Sequence, residues 1–193
     1  MSSLSGRCFL IGVTGGIAAY KSADLVRRLI DLGAMVRVTM TASAVQFISP
    51  LTLQAISGQP VHNALLDTDS ETAMNHIELA RWADQVIVAP ATADFIARLA
   101  IGLADDLLCT LCLATQAPIA IAPAMNHFMW EKQETQENID TLRRRDIDIL
   151  GPDSGNQACG ETGFGRLLEP EVLVRWLGSQ TEDQLLADTS ILV

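Results

Sequence analysis

Three short segments carry residue types that do chemistry at spacings that matter. Gly12-Val-Thr-Gly-Gly-Ile-Ala-Ala-Tyr-Lys21 sets two glycines between an apolar run and a helical one. There backbone N–H groups can approach an anion at a helix N-terminus, where the dipole favours phosphate. Thr14 adds a hydroxyl. The segment has neither the G-x-G-x-x-G nor the G-x-x-x-x-G-K-[ST] spacing, and by itself it is equally a tight strand-to-helix turn. Pro123-Ala-Met-Asn-His-Phe-Met-Trp130 follows another apolar run and puts Asn126 at the sheet edge where the glycines lie. Asn126 could equally be an N-cap, and Met125, Met129 and Trp130 could be core. The third segment is glycine-rich and contains Cys159, a thiol with no evident packing role. His76 lies on an amphipathic stretch and reads on its own as a half-buried imidazole. His62 and His127 have no supporting context.

Cys109-Thr-Leu-Cys112 has the spacing of a redox or zinc pair, but it sits in the apolar run Asp106-Leu-Leu-Cys-Thr-Leu-Cys-Leu-Ala. Both thiols read as small core residues rather than metal ligands. No metal site is expected.

The elements that must position these residues alternate. Cys8–Val13 is a strand ending in the glycine turn, and Ile17–Leu32 a helix closed by Gly33. Met35–Met40 is a second strand, Pro50–Gly58 a short helix, and Gln59–Asp69 polar and irregular. Helix Ile77–Ala83 leads to a buried strand, Gln85–Ala89, terminated by Pro90. Asp94–Ala114 is helical with a break near Gly102, and Pro118–Ala122 is the next strand. Glu134–Arg145 is a charged helix, Ile147–Leu150 a last strand, Gly151–Arg166 a glycine-rich loop and Pro170–Leu177 a helix. Five apolar strands separated by helices imply a parallel sheet covered on both faces: a three-layer α/β/α fold, flavodoxin-like within the wider Rossmann-like class. Ligands of such sheets bind beyond the carboxyl ends of the strands where the order reverses. That selects the loops Val13–Gly16 and Pro90–Asp94.

The chain has 193 residues, enough for one domain, assigned to residues 1–178, with 179–193 read as a polar tail or the start of a linker. Apolar residues are 49% and charged residues 19%, so most of the chain is folded. The net charge of −10, with 13 Lys and Arg against 23 Asp and Glu and no basic block, argues against nucleic acid as a partner. No apolar run is long enough for a membrane span and no signal segment is evident, so no membrane partner and a cytoplasmic location are expected.

Taken together, Gly12–Lys21, Asn75-His-Ile-Glu-Leu79, Ala89-Pro-Ala-Thr-Ala-Asp94, Pro123–Trp130 and Ala158-Cys-Gly-Glu-Thr-Gly-Phe-Gly-Arg166 resemble, in order and spacing, the homo-oligomeric flavin-containing cysteine decarboxylases. The resemblance covers about residues 7–177, and P-x-M-N-x-x-M-W is its most specific element. Within the family the chain is most similar to the branch serving coenzyme A synthesis. The resemblance implies an FMN enzyme that removes CO₂ from 4′-phosphopantothenoylcysteine to give 4′-phosphopantetheine. A cysteine carboxylate has no electron sink of its own, so oxidation of the thiol to a thioaldehyde must precede loss of CO₂. The resulting enethiol is then reduced.

The same resemblance implies roles. His76 would be the active-site base and Asn126 would hydrogen-bond the substrate carboxylate and amide. Cys159, in a mobile flap, would be the acid that protonates the enethiol. Thr14, Gly15, Gly16, Ser43, Thr92 and Asp94 would hold FMN. Met125 and Ala158 would line the substrate site, with Arg98 and Arg166 as candidates for its phosphate. A homotrimer or trimer-based dodecamer is implied, with residues around His76 and Trp82 at the interface. Peptidyl-cysteine decarboxylases stop at the enethiol and their strand-three loop commonly reads Pro-Ala-Ser-Ala-Asn-Thr. The flap cysteine and the Thr92/Asp94 pair therefore separate this chain from them. A non-catalytic FMN-binding regulator is the other alternative, disfavoured by a tail with only Glu182, Asp183 and Asp188.

Overall fold

In the computed structural model, which describes residues 4–63, 75–158 and 160–188, the apolar runs become the strands of one sheet. These are β1 (Cys8–Val13), β2 (Met35–Met40), β3 (Val61–His62), β4 (Gln85–Ala91), β5 (Ile119–Pro123) and β6 (Asp148–Ile149). Every residue of β4 is buried, as are five of the six in β1. Such unbroken burial needs both faces of the sheet to be covered. The order is β3-β2-β1-β4-β5-β6 and every pair is parallel. The chain runs outward from β1 to β3, then crosses back to β4 on the other side of β1. Without β3, the remaining strands have the flavodoxin-like order. The reversal lies between β1 and β4, so the loops after those strands meet at one edge.

A turn of 3₁₀ helix, Ile17–Tyr20, leads into α1 (Lys21–Asp31); the other helices are α2 (Pro50–Ser57), α3 (Asn75–Trp82), α4 (Ala93–Ile101), α5 (Leu107–Ala114), α6 (His127–Glu131), α7 (Gln133–Arg143) and α8 (Pro170–Asp188). Leu25, Leu29, Leu53, Leu173 and Leu177, from α1, α2 and α8, pack against one face of the sheet. Leu79, Phe95, Ile96, Leu108 and Leu142, from α3, α4, α5 and α7, pack against the other. Each of these helices thus turns its apolar stripe inward, which makes three layers. Among the described residues no helix is long and apolar enough to cross a membrane.

Four local expectations change. Val61–His62, expected to be irregular, adds a short edge strand through pairing with Val38 and Thr39. Strand β4 continues past Ala89 to Ala91. A register shift between Val88 and Ala91 accommodates Pro90, which has no N–H to give the ladder. The glycine-rich stretch holds an antiparallel hairpin, β7 (Asp153–Asn156) and β8 (Thr162–Arg166), rather than loop alone. Helix α8 extends beyond Leu177 to Asp188. The expected break near Gly102 is present: Gly102, at φ 74°, caps α4, and the Asp106 carboxylate caps α5 by accepting the Cys109 N–H at 2.7 Å.

Cys109 and Cys112 are buried, free thiols on α5, and the described residues contain no cluster of potential metal ligands. Burial, reinforced by the Asp106 carboxylate, pushes the Cys109 thiol up to about 12. Burial also raises Cys112 strongly. The fold therefore favours the protonated thiols. Stability is unaffected below the ordinary thiol range of about 8.5 and falls as pH rises from there. At pH 8 a disulfide exchange reagent is expected to leave both thiols unmodified until urea unfolds the chain. The urea midpoint should drop between pH 9 and pH 10.5, with a shallower drop in the variant Cys109→Ala plus Cys112→Ala.

Candidate functional site

A cavity of about 840 Å³ opens beyond the carboxyl ends of the central strands. Gly15, Gly16 and Ser43 line one side, and Thr92 and Asp94 border it from the turn into α4. Met125 and Asn126 face them, with Ala158 and Arg166 of the hairpin closing over. Nine residues expected at the site thus share one cavity. Thr14, Arg98 and His76 do not line it, and Cys159 lies outside the described residues.

The glycine side is shaped by a close approach. A Cβ on Gly15 would lie 2.4 Å from the Ser43 Cβ and 2.8 Å from its backbone carbon, so the loops after β1 and β2 touch only because residue 15 has no side chain. The Ser43 hydroxyl is 3.0 Å from Thr41 Oγ1. Gly16, with extended backbone, precedes the helical turn, and Thr92 caps α4 by accepting the Phe95 N–H at 3.3 Å. Two helix starts and two hydroxyls therefore converge on the cavity, a donor set suited to a phosphorylated ligand.

Thr14 faces the other way. Its buried hydroxyl donates to the Pro90 carbonyl at 2.7 Å and accepts the Thr92 N–H at 3.0 Å, fastening the two loops that meet at the reversal. Thr14→Val keeps the shape and leaves both backbone groups without that partner. Denaturant unfolding is expected to show a loss of about 2–3 kcal/mol.

Arg98 is engaged by carboxylates: it ion-pairs with Asp105, with Asp106 at 2.9 Å and with Asp94 at 3.7 Å. Its guanidinium is held charged chiefly by the hydrogen bond to Asp105. It anchors the turn between α4 and α5 and draws Asp94 toward it. Arg166 lies at the cavity rim beside Lys21, and the two cations share one carboxylate: Glu169 Oε1 accepts from Lys21 Nζ at 2.7 Å and from Arg166 Nη2 at 3.1 Å. Lys21 belongs to the glycine segment, yet its spacing alone gives no sign that it reaches the cavity.

Asn126 is the cap of α6, and its Oδ1 accepts the Phe128 N–H at 2.9 Å. The N-cap and ligand readings are therefore compatible, because the cap leaves the amide nitrogen turned the other way. Nδ2 donates to Glu161 Oε2 at 2.6 Å and to Gln157 Oε1 at 3.3 Å, and the His127 N–H also donates to Gln157 Oε1 at 3.1 Å. His127 is thus part of this wall: its Nδ1 lies 3.4 Å from Glu161 Oε2. Strand β8 lies flush against the segment. The Met125 N–H donates to the Gly165 carbonyl at 2.9 Å, and a Cβ on Gly165 would lie 2.2 Å from the Met125 oxygen. Gln157 and Glu161 are not visible as site residues in the sequence, since only the hairpin's folding back brings them to Asn126; His127 adjoins Asn126 in the chain, and its part in the wall shows only through its contact with Glu161. His76 is half-buried in the first turn of α3.

A doubly covered parallel sheet with a cavity at its reversal, two helix starts on one wall and a hairpin over the other, is the architecture of an α/β protein whose site is suited to a phosphorylated organic ligand. The chain belongs to the Flavoprotein family, whose model matches residues 2–181. It is 55% identical over its full length to the coenzyme A biosynthesis bifunctional protein CoaBC of Vibrio vulnificus, covering 48% of that protein. It is 58% identical to CoaBC of Escherichia coli over 89% of this chain and 42% of the relative. The chain thus spans about half the length of the curated relatives it matches. Among solved structures it is similar to a PPC decarboxylase variant complexed with pantothenoylaminoethenethiol, with a TM-score of 0.80 and 29% identity over 91% of this chain and 98% of that one. The FMN-dependent cysteine decarboxylase SpaF is 30% identical, with a TM-score of 0.77 over 91% and 99% of the two chains.

Proposed function

We propose that this chain binds FMN at the sheet reversal and decarboxylates 4′-phosphopantothenoylcysteine to 4′-phosphopantetheine in coenzyme A biosynthesis. The observation that carries the reading is the single cavity joining the Gly15–Gly16 turn to the Asn126 amide. Its volume of about 840 Å³ suits a cofactor with part of a substrate beside it. The CoaBC relatives and the likeness to PPC decarboxylase support the substrate, and the likeness to SpaF supports the cofactor.

Gly15, Gly16, Ser43 and the Thr92–Asp94 turn would hold FMN, with backbone N–H groups and hydroxyls rather than cations meeting its phosphate. When bound, FMN supplies a two-electron acceptor and donor, which gives the departing carboxylate an electron sink on the oxidised thiol carbon. Asn126 Nδ2 orients the substrate carboxylate. Because the donor is neutral, it positions the anion without the strong stabilisation a cation would give. Met125 and Ala158 bound the substrate arm. Arg166, with Lys21 beside it at the cavity, meets the substrate phosphate in preference to Arg98, which does not line the cavity. His76 acts as the base for the thiol and Cys159 as the proton donor to the enethiol. Since His76 does not line the cavity of its own chain, it is assigned to the site of an adjoining copy in a cytoplasmic trimer or trimer-based shell.

The test is a visible absorption spectrum followed by anaerobic addition of phosphopantothenoylcysteine with mass analysis. A flavin spectrum and a product lighter by one CO₂, with oxidised flavin at the end, bear the reading out. Turnover only of peptides ending in cysteine replaces the substrate, and a protein that cannot be loaded with FMN overturns it.

A further inference from the structure

The amide of Asn126 presents donors only to the cavity. Its oxygen is committed to the Phe128 N–H at 2.9 Å, and reversing the amide would put an NH₂ group against that donor. The cap therefore sets the amide's orientation, and the group that Nδ2 can take must be an acceptor. Two acceptors of the chain itself are there: Gln157 Oε1 at 3.3 Å and, nearer and charged, the carboxylate of Glu161, 35 residues away, with Oε2 at 2.6 Å. The Glu161 contact is the short, charge-assisted bond expected of a carboxylate, and it is the contact assigned above to the substrate's own carboxylate.

Glu161 is held in a way that lets it leave. Its side chain is 43% exposed, so a displaced carboxylate returns to water rather than to an apolar interior. Its backbone carbonyl accepts the Gln157 N–H at 2.7 Å, which places it at the tip of the hairpin. Strand β8, behind the tip, is fixed separately, by the Met125–Gly165 hydrogen bond and by Gly163, where a Cβ would lie 2.8 Å from the His127 Cβ. The carboxylate contact at the tip can exchange while β8 stays in place.

We propose that Glu161 is an internal competitor for the carboxylate-binding amide of Asn126, displaced by the substrate carboxylate and restored when CO₂ has left. This rests on the decarboxylase reading. Substrate and product differ at this point by the one group that competes with Glu161. The substrate can displace it and the product cannot. The exchange thus makes the site discriminate between the two: the internal carboxylate weakens binding of every ligand that needs the Asn126 amide, and leaves the decarboxylated product unaffected.

The experiment uses the flavin-loaded full chain and two ligands: 4′-phosphopantothenoylserine, which keeps the carboxylate but has no thiol to oxidise, and 4′-phosphopantetheine, which has no carboxylate. Dissociation constants are measured by calorimetry for the wild type, Glu161→Ala and Glu161→Gln. In Glu161→Ala the serine analogue is expected to bind roughly tenfold more tightly, the order of one solvent-exposed charge-assisted hydrogen bond, while phosphopantetheine binding is unchanged. Glu161→Gln, whose amide oxygen can still accept from Asn126, is expected to lie between. A merely structural role would shift both ligands together. Equal shifts, no shift, or weaker binding of the analogue alone in Glu161→Ala overturns the proposal, as does a serine analogue that binds none of the three proteins. Wild-type CO₂ release is measured in parallel. Its absence counts against the decarboxylase reading, whereas the calorimetric comparison still decides whether a ligand carboxylate and Glu161 exclude each other.

Discussion

Gly15→Ala is expected to yield a folded protein that purifies colourless and takes up FMN only weakly. The new methyl group would lie 2.4 Å from the Ser43 Cβ, well inside the 3.5–4.0 Å at which carbon atoms rest in contact. The nearest atoms include the Ser43 backbone carbon at 2.8 Å, so the loops after β1 and β2 must separate by about 1 Å. That moves the Ser43 hydroxyl and the N–H groups at the start of the helical turn away from a common centre. Loss of one or two phosphate hydrogen bonds amounts to about 3 kcal/mol, or roughly a 100-fold weaker Kd. Fluorescence titration of apoprotein with FMN measures it. Wild-type affinity in this variant would remove the glycine turn from the cofactor site.

His76→Asn is expected to retain FMN and lose CO₂ release by several orders of magnitude, as follows when an acid–base group worth about 10²–10⁴ in rate also holds the reacting thiol. The position of His76 adds a sharper expectation. It sits in the first turn of α3 and does not line the cavity of its own chain, whereas Asn126 does. If each site takes Asn126 from one copy and His76 from the next, His76→Asn and Asn126→Ala should each be inactive alone and recover activity when dissociated and reassembled together. Sites with both wild-type residues then form between unlike copies. A mixture no more active than its components would place both residues in one chain's site or remove one from the reaction.

What the sequence reveals depends on how local the cause is. Strands β1, β4 and β5 are legible because burial on both faces demands an unbroken apolar run, and that run is visible without knowing its neighbours. Strand β3 is not, since two residues, one of them His62, carry no periodicity and pair only because β2 is alongside. The hairpin reads as loop because Asp153–Asn156 and Thr162–Arg166 are polar and glycine-rich; their pairing depends on packing against Met125 and His127. At the site, the glycine turn and Asn126 show themselves by type and place. The direction in which a side chain faces does not: Thr14 turns to Pro90 because β1 adjoins β4, and Arg98 is taken by Asp105 and Asp106 across a turn. Glu161 stands within the quoted glycine-rich segment, yet its meeting with Asn126 is a product of the fold alone.

Both outer strands of the described sheet, β3 and β6, are only two residues long. A sheet margin ordinarily offers a row of free amides and carbonyls onto which another chain can add a strand, the route by which exposed β edges coalesce into fibres. Here that row is too brief to template an extension. Strand addition between copies is therefore disfavoured, and any contact between them would fall to helix faces and loops, where side-chain shape rather than backbone pairing sets the geometry.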